Sequence, residues 1–141
     1  MDERTVLARD LMREKQFTCV FLRDGETVTE YARGIAPLLS YLDSGRTLTG
    51  FCAADKVVGR AAAFLYVLLQ VDELYAEVIS ESAEVVLRDY GVRFFAGETV
   101  PAIRNRTGDG FCPIEQATIS AHDPQTALTA IRNTLEYLKK K

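Results

Sequence analysis

Residues 55–70 are apolar on nearly every side of a helix: Val57, Val58, Ala61, Ala62, Ala63, Phe64, Leu65, Val67, Leu68 and Leu69. A helix without a polar stripe has no face to give to water, so this segment is expected to be a buried centre around which other elements pack. Its longest strongly apolar stretch, residues 61–69, falls well short of the roughly 20 residues that span a bilayer. Gly59, inside the expected helix, weakens it but predicts close approach of a neighbouring element.

Around this centre strand and helix signals take turns. Val6, Leu7 and Leu11 suggest a first helix over residues 2–16, and residues 17–22 and 27–31 flank Asp24-Gly25 as a β-hairpin. A helix containing Ile35, Leu38, Leu39 and Leu42 follows Gly34 and stops at Ser44-Gly45. Strands are then expected at 47–52, 74–79 and 92–95, alternating with helices at 55–70 and 81–90. This alternation predicts an α/β fold with parallel strands joined by right-handed crossovers. A long connection over residues 96–111 leads to a short helix at 113–120, and Asp123-Pro124 opens a last helix whose Leu128, Ile131, Leu135 and Leu138 would dock on the sheet.

Composition narrows the function classes. The chain has 141 residues, enough for the single domain we expect over its whole length, and 48% hydrophobic with 26% charged residues is a globular balance. Twenty acids against 17 bases give a net charge of −3, which argues against nucleic-acid binding, and the basic run Lys139-Lys140-Lys141 suits a solvated helix end. The charged start Met1-Asp2-Glu3-Arg4 is not followed by a signal-peptide core, and no stretch spans a membrane. Three scattered cysteines, Cys19, Cys52 and Cys112, fit reduced thiols and a cytoplasmic location.

Three junctions could carry chemistry. At Ala53-Ala54-Asp55-Lys56, Asp55 reads as a helix N-cap, or as part of an anion site in which Lys56 and Arg60 sit one helical turn apart. At Ile79-Ser80-Glu81-Ser82, Ser80 reads as a plain N-cap. Before Pro113, Cys112 reads as the N-cap of a capping box closed by Glu115, or as a thiolate nucleophile at a helix start. Arg106 belongs to the glycine-bearing loop that leads there, and Arg106 and Cys112 are expected ligand contacts. His122, the one histidine, reads as a surface loop residue, so no zinc centre of ordinary spacing can be assembled and no metal or other cofactor is expected.

At residues 52–63 and 105–115 the chain resembles a small prokaryotic family, domain of unknown function 1893. The resemblance implies a cytidine deaminase-like fold, a three-layer α/β/α sandwich in which a hairpin precedes alternating helices and parallel strands. Deaminases of that fold carry His-x-Glu or Cys-x-Glu at one strand-to-helix junction and Pro-Cys-x-x-Cys at the next. The matching positions here, 54–56 and 79–83, hold no zinc ligand and no proton-shuttling glutamate.

Three functions stay open on these readings. One is a zinc-free domain binding a small anionic metabolite or nucleotide through Asp55, Lys56, Arg60, Arg106 and Cys112. Another is an enzyme using Cys112 as nucleophile. The third is a scaffold or dimerisation module, and homo-oligomerisation is compatible with all three.

Overall fold

The computed structural model describes residues 1–32, 34–104 and 112–140. Its elements are α1 (Glu3–Lys15), β1 (Cys19–Arg23), β2 (Glu26–Glu30), α2 (Ala36–Asp43), β3 (Cys52–Val58), α3 (Arg60–Leu69), β4 (Glu73–Ser80), α4 (Glu81–Asp89), β5 (Arg93–Val100), α5 (Pro113–Thr118) and α6 (Pro124–Lys139). The fold is α/β, with one five-stranded mixed sheet in the order β2-β1-β3-β4-β5. The hairpin forms as expected: Gly25 takes φ 79° in a two-residue turn, and β1 pairs antiparallel with both β2 and β3. Strands β3, β4 and β5 run parallel.

Side chains alternate across the strands and divide the interior in two. Val20, Ala54 and Tyr75 face α1, where they meet Ala8 and Met12. Phe21, Ala53, Leu74 and Ala76 face the other side, into the larger core with α2, α3 and α4. The stripe that docks α1 is Thr5, Ala8 and Met12, with Leu11 partly buried, while Leu7 is exposed. Helix α6 buries Ala127 and Ile131 and packs on α3 and α5 rather than on the sheet, leaving Leu138 exposed.

Helix α3 is the buried centre that its apolar composition demands. It buries Ala61 through Tyr66 and Leu69, and it packs against α2, α4, α5 and α6. Its start differs from the sequence expectation. Residues 52–58 form a strand, Gly59 is the N-cap, and the helix begins at Arg60. Val57 and Val58, read from the sequence as the helix's first apolar residues, belong to β3, where β-branched side chains suit the pleat. The expected strand at 47–52 shrinks to its last residue, while Leu48 is buried and its amide bonds the Leu69 carbonyl at 2.6 Å.

Strand β5 is also longer than its apolar start, running through Ala96-Gly97-Glu98 to Val100. Gly97 permits this, because a Cβ there would come within 2.9 Å of both the Glu77 carbonyl oxygen and the Tyr75 hydroxyl. Both parallel ladders skip this row: neither Lys56 with Glu77 nor Glu77 with Gly97 is a paired position. At the same row the alternation slips, and Lys56-Val57 and Glu77-Val78 all line the sheet face beside α1.

A candidate crevice at the carboxyl ends of the parallel strands

Three strands deliver the chain to one rim of the sheet, and helices start from two of them. Strand β3 ends at Val58 and passes through Gly59 into α3, β4 ends at Ser80, which caps α4, and β5 runs out into Pro101-Ala102-Ile103. Between them lies a crevice of ≈ 350 Å³, whose walls include Arg60, Ser80, Ser82, Ala102, Ile103 and Glu115. Ligands of open α/β sheets collect at this rim.

The first turn of α3 is closed by a side chain from another element. Glu115 of α5 accepts hydrogen bonds from the Arg60 amide (2.7 Å) and the Ala61 amide (3.2 Å) through its two carboxylate oxygens. It thereby serves amides that a helix start leaves without partners, and its charge faces the positive end of the helix. Gly59 leaves room for this contact, because a Cβ there would displace the carboxylate from its present position. Burial pushes the Glu115 carboxyl above the ordinary glutamate range, although the Arg60 and Ala61 amides pull it the other way. The Cys-Pro-x-Glu capping box is therefore not formed: Cys112 is the N-cap of α5 but makes no side-chain cap bond, and Glu115 reaches across to α3.

Arg60 ties the same corner together. Its Nε donates to the Thr118 carbonyl (2.8 Å), one Nη to the Ser82 hydroxyl (2.9 Å) and the other to the Ala121 carbonyl, while the guanidinium lies 5.0 Å from the centre of the Phe64 ring. Its donors thus serve the fold, joining α3 to α4 and to the segment around α5. Ser80 caps α4 by accepting from the Ala83 amide at 3.1 Å, as expected. The half-buried Ser82 hydroxyl accepts one internal bond, which leaves its own proton as a donor at the crevice wall, whereas Ser80 is buried.

The expected site residues do not gather here. Asp55 is not an N-cap but a buried residue of β3, facing the larger core, where the Tyr66 hydroxyl donates to it at 2.6 Å and the Val57 amide at 3.3 Å. Burial raises its carboxyl to about 7, against those donors. Lys56, its neighbour, points to the opposite side of the sheet into an open cavity of ≈ 480 Å³ lined also by Met12, Arg13, Gln16, Val57, Glu77 and Val78. Lys56 and Arg60 therefore do not share a helix face, because a strand end and Gly59 separate them. Cys112 is a half-buried free thiol outside the crevice wall. Arg106 lies outside the described residues. His122 is exposed, as expected. Of the expected residues the structure describes, Arg60 alone lines the crevice, and sequence reading missed Glu115 and Ser82 as its polar lining.

Among the described residues no group of three His, Cys, Asp or Glu side chains could hold a metal ion, and no helix is long and apolar enough to cross a membrane. The strand-to-helix junctions after β3 and β4 read Val58-Gly59-Arg60 and Ser80-Glu81-Ser82-Ala83. The first lies four residues beyond the position expected from sequence, and neither offers a thiol or an imidazole.

A mixed five-stranded sheet with a crevice at the carboxyl rim of its parallel half, lined by a glutamate that caps a helix start, defines an α/β protein. Residues 7–135 match the model of the family described as TM1506, a domain of unknown function (DUF1893), and the chain belongs to that family. A crystal structure of a DUF1893 family protein from Thermotoga maritima is similar, with a TM-score of 0.82 and 25% sequence identity over 97% of this chain and 92% of the other. No curated protein matches the chain.

Proposed function

We propose that this chain is a zinc-free binding protein of cytidine deaminase-like, three-layer architecture whose crevice takes a small planar metabolite of the nucleobase or nucleotide class. The crevice itself carries the reading: ≈ 350 Å³, near the lower end of ligand pockets, with apolar walls from Pro101, Ala102 and Ile103 and a polar wall from Ser82 and Glu115. The Ser82 hydroxyl donor beside the Glu115 carboxylate suits a ring that presents a carbonyl next to an N–H. The strand order β2-β1-β3-β4-β5 and the hairpin entry support the deaminase-like architecture, and the residue types at the two junctions support the absence of zinc.

The geometry moves the emphasis from an anion to neutral hydrogen bonding. The Arg60 guanidinium is engaged internally, and Glu115 already occupies the helix start where an external anion would bind. Arg106 remains a proposed ligand contact from its sequence position, and Asp55, Lys56 and Cys112, which do not line the crevice, drop out of the proposal.

Thermal denaturation with millimolar nucleobases, nucleosides and nucleoside monophosphates tests this reading. A ligand present at 100 times its Kd adds about 2.7 kcal/mol and raises Tm. The rise should vanish in Ala102→Trp, which fills the crevice, and persist in Lys56→Ala, on the other face. No rise with any of these compounds, or a rise indifferent to Ala102→Trp, contradicts it.

A further inference from the structure

Strand β5 ends the sheet, and among the described residues nothing pairs with its outer edge. Six of its eight residues, Arg93 and Phe95 through Thr99, are exposed, and only Phe94 and Val100 are half-buried. A long edge of this kind is a template for another strand, and soluble proteins usually blunt it with proline, lysine or a covering element. None of the eight residues is proline or lysine. On the α1 side, Phe95 stands bare at 37% exposure beside Tyr75, its partner in the ladder.

The charges on the edge say what fits it. Arg93 stands near one end and Glu98 near the other. Arg93 lies on the α1 side, where it pairs with Glu73 at 3.3 Å while its own side chain stays 71% exposed. Glu98 belongs to the row of Val78, which lines the cavity on that same side. A parallel copy of the strand would set like charges together, whereas an antiparallel copy brings each Arg93 toward the other chain's Glu98. Centred on Phe95, that pairing places the two Phe95 rings side by side at the two-fold axis. It also sets Arg93 opposite Gly97, which has no side chain to obstruct the approach to the neighbouring Glu98.

We propose that β5 is a self-complementary edge through which two copies of this chain join, antiparallel about Phe95, into one continuous ten-stranded sheet. The pairing is isologous, so it closes at two copies and leaves the edges at the two β2 strands outermost. It is independent of what the crevice binds, because the crevice lies at the strand ends and the pairing runs along β5.

The test is the molar mass in solution by light scattering at about 100 μM, followed by two variants. The wild-type chain should be a dimer, and Glu98→Lys should weaken it at least tenfold in Kd. In a Cys112→Ser background, Phe95→Cys should form an intermolecular disulfide under mild oxidation, since residues facing across an antiparallel pair have Cα atoms about 4.5–5.5 Å apart. A monomeric wild type, a dimer unaffected by Glu98→Lys, or the absence of that disulfide in a folded Phe95→Cys variant would each overturn the proposal.

Discussion

Asp55 shows how one buried carboxyl can mislead a reading of sequence and yet leave a measurable mark. An aspartate followed by an apolar run looks like a helix cap, and nothing local tells that Tyr66, eleven residues on, folds back to donate to it. Tyr66 belongs to the apolar stretch, where its hydroxyl reads as incidental, although a buried tyrosine needs a hydrogen-bond partner. Because burial raises the Asp55 carboxyl to about 7 from an ordinary 3.8, the folded state binds its proton more tightly than the unfolded state does. The stability contributed by the neutral form is therefore fully present below pH 4 and lost as pH rises to about 7, to the order of 4 kcal/mol. Urea titrations at pH 4 to 8 should show Asp55→Asn losing much less stability than the wild-type chain across that interval. Parallel curves for the two proteins would show that the carboxyl is ionised throughout.

Elements were legible where periodicity and turn chemistry agreed. The hairpin at Asp24-Gly25, the helix ending at Ser44-Gly45 and the cap at Ser80 all form where local signals place them. The β3–α3 boundary was not legible, because Asp55-Lys56 interrupts the strand with charges while Val57-Val58 continues the apolar run beyond them. The signal that was available is Gly59, a tolerated N-cap residue directly after two β-branched residues. The role of Glu115 was hidden for a different reason: it caps α3 from 55 residues away in sequence, a distance that no local motif encodes. This cross-element cap fastens α5 to α3 and shapes one side of the crevice. Glu115→Ala should leave two amides without their acceptor and cost about 1–3 kcal/mol in chemical denaturation. A cost under about 0.5 kcal/mol would mean that water replaces the carboxylate and that the fastening does not matter.

At the scale of the whole molecule, α1 covers one side of the sheet and the other helices lie on the other side, with α3 at their centre. The apolar composition of α3 foretold its place, and the alternation of elements foretold the parallel half of the sheet. What the sequence could not convey is which side of the sheet each polar residue faces. A boundary shifted by a few residues sends Lys56 to the α1 side and Asp55 into the larger core, and so separates residues that looked like one site. The crevice that results is built from Ser82, Glu115 and the chain after β5, with Arg60 as its tie. The most direct measurement of this claim is a titration of the nitrogen-15-labelled protein with a nucleobase or nucleoside, following backbone amide shifts. Saturable shifts should cluster at Arg60, Ala61, Ser82, Ala83, Ile103 and Gln116. Shifts confined to Lys56, Val57 and Glu77 on the opposite side, or none at millimolar ligand, would contradict the account.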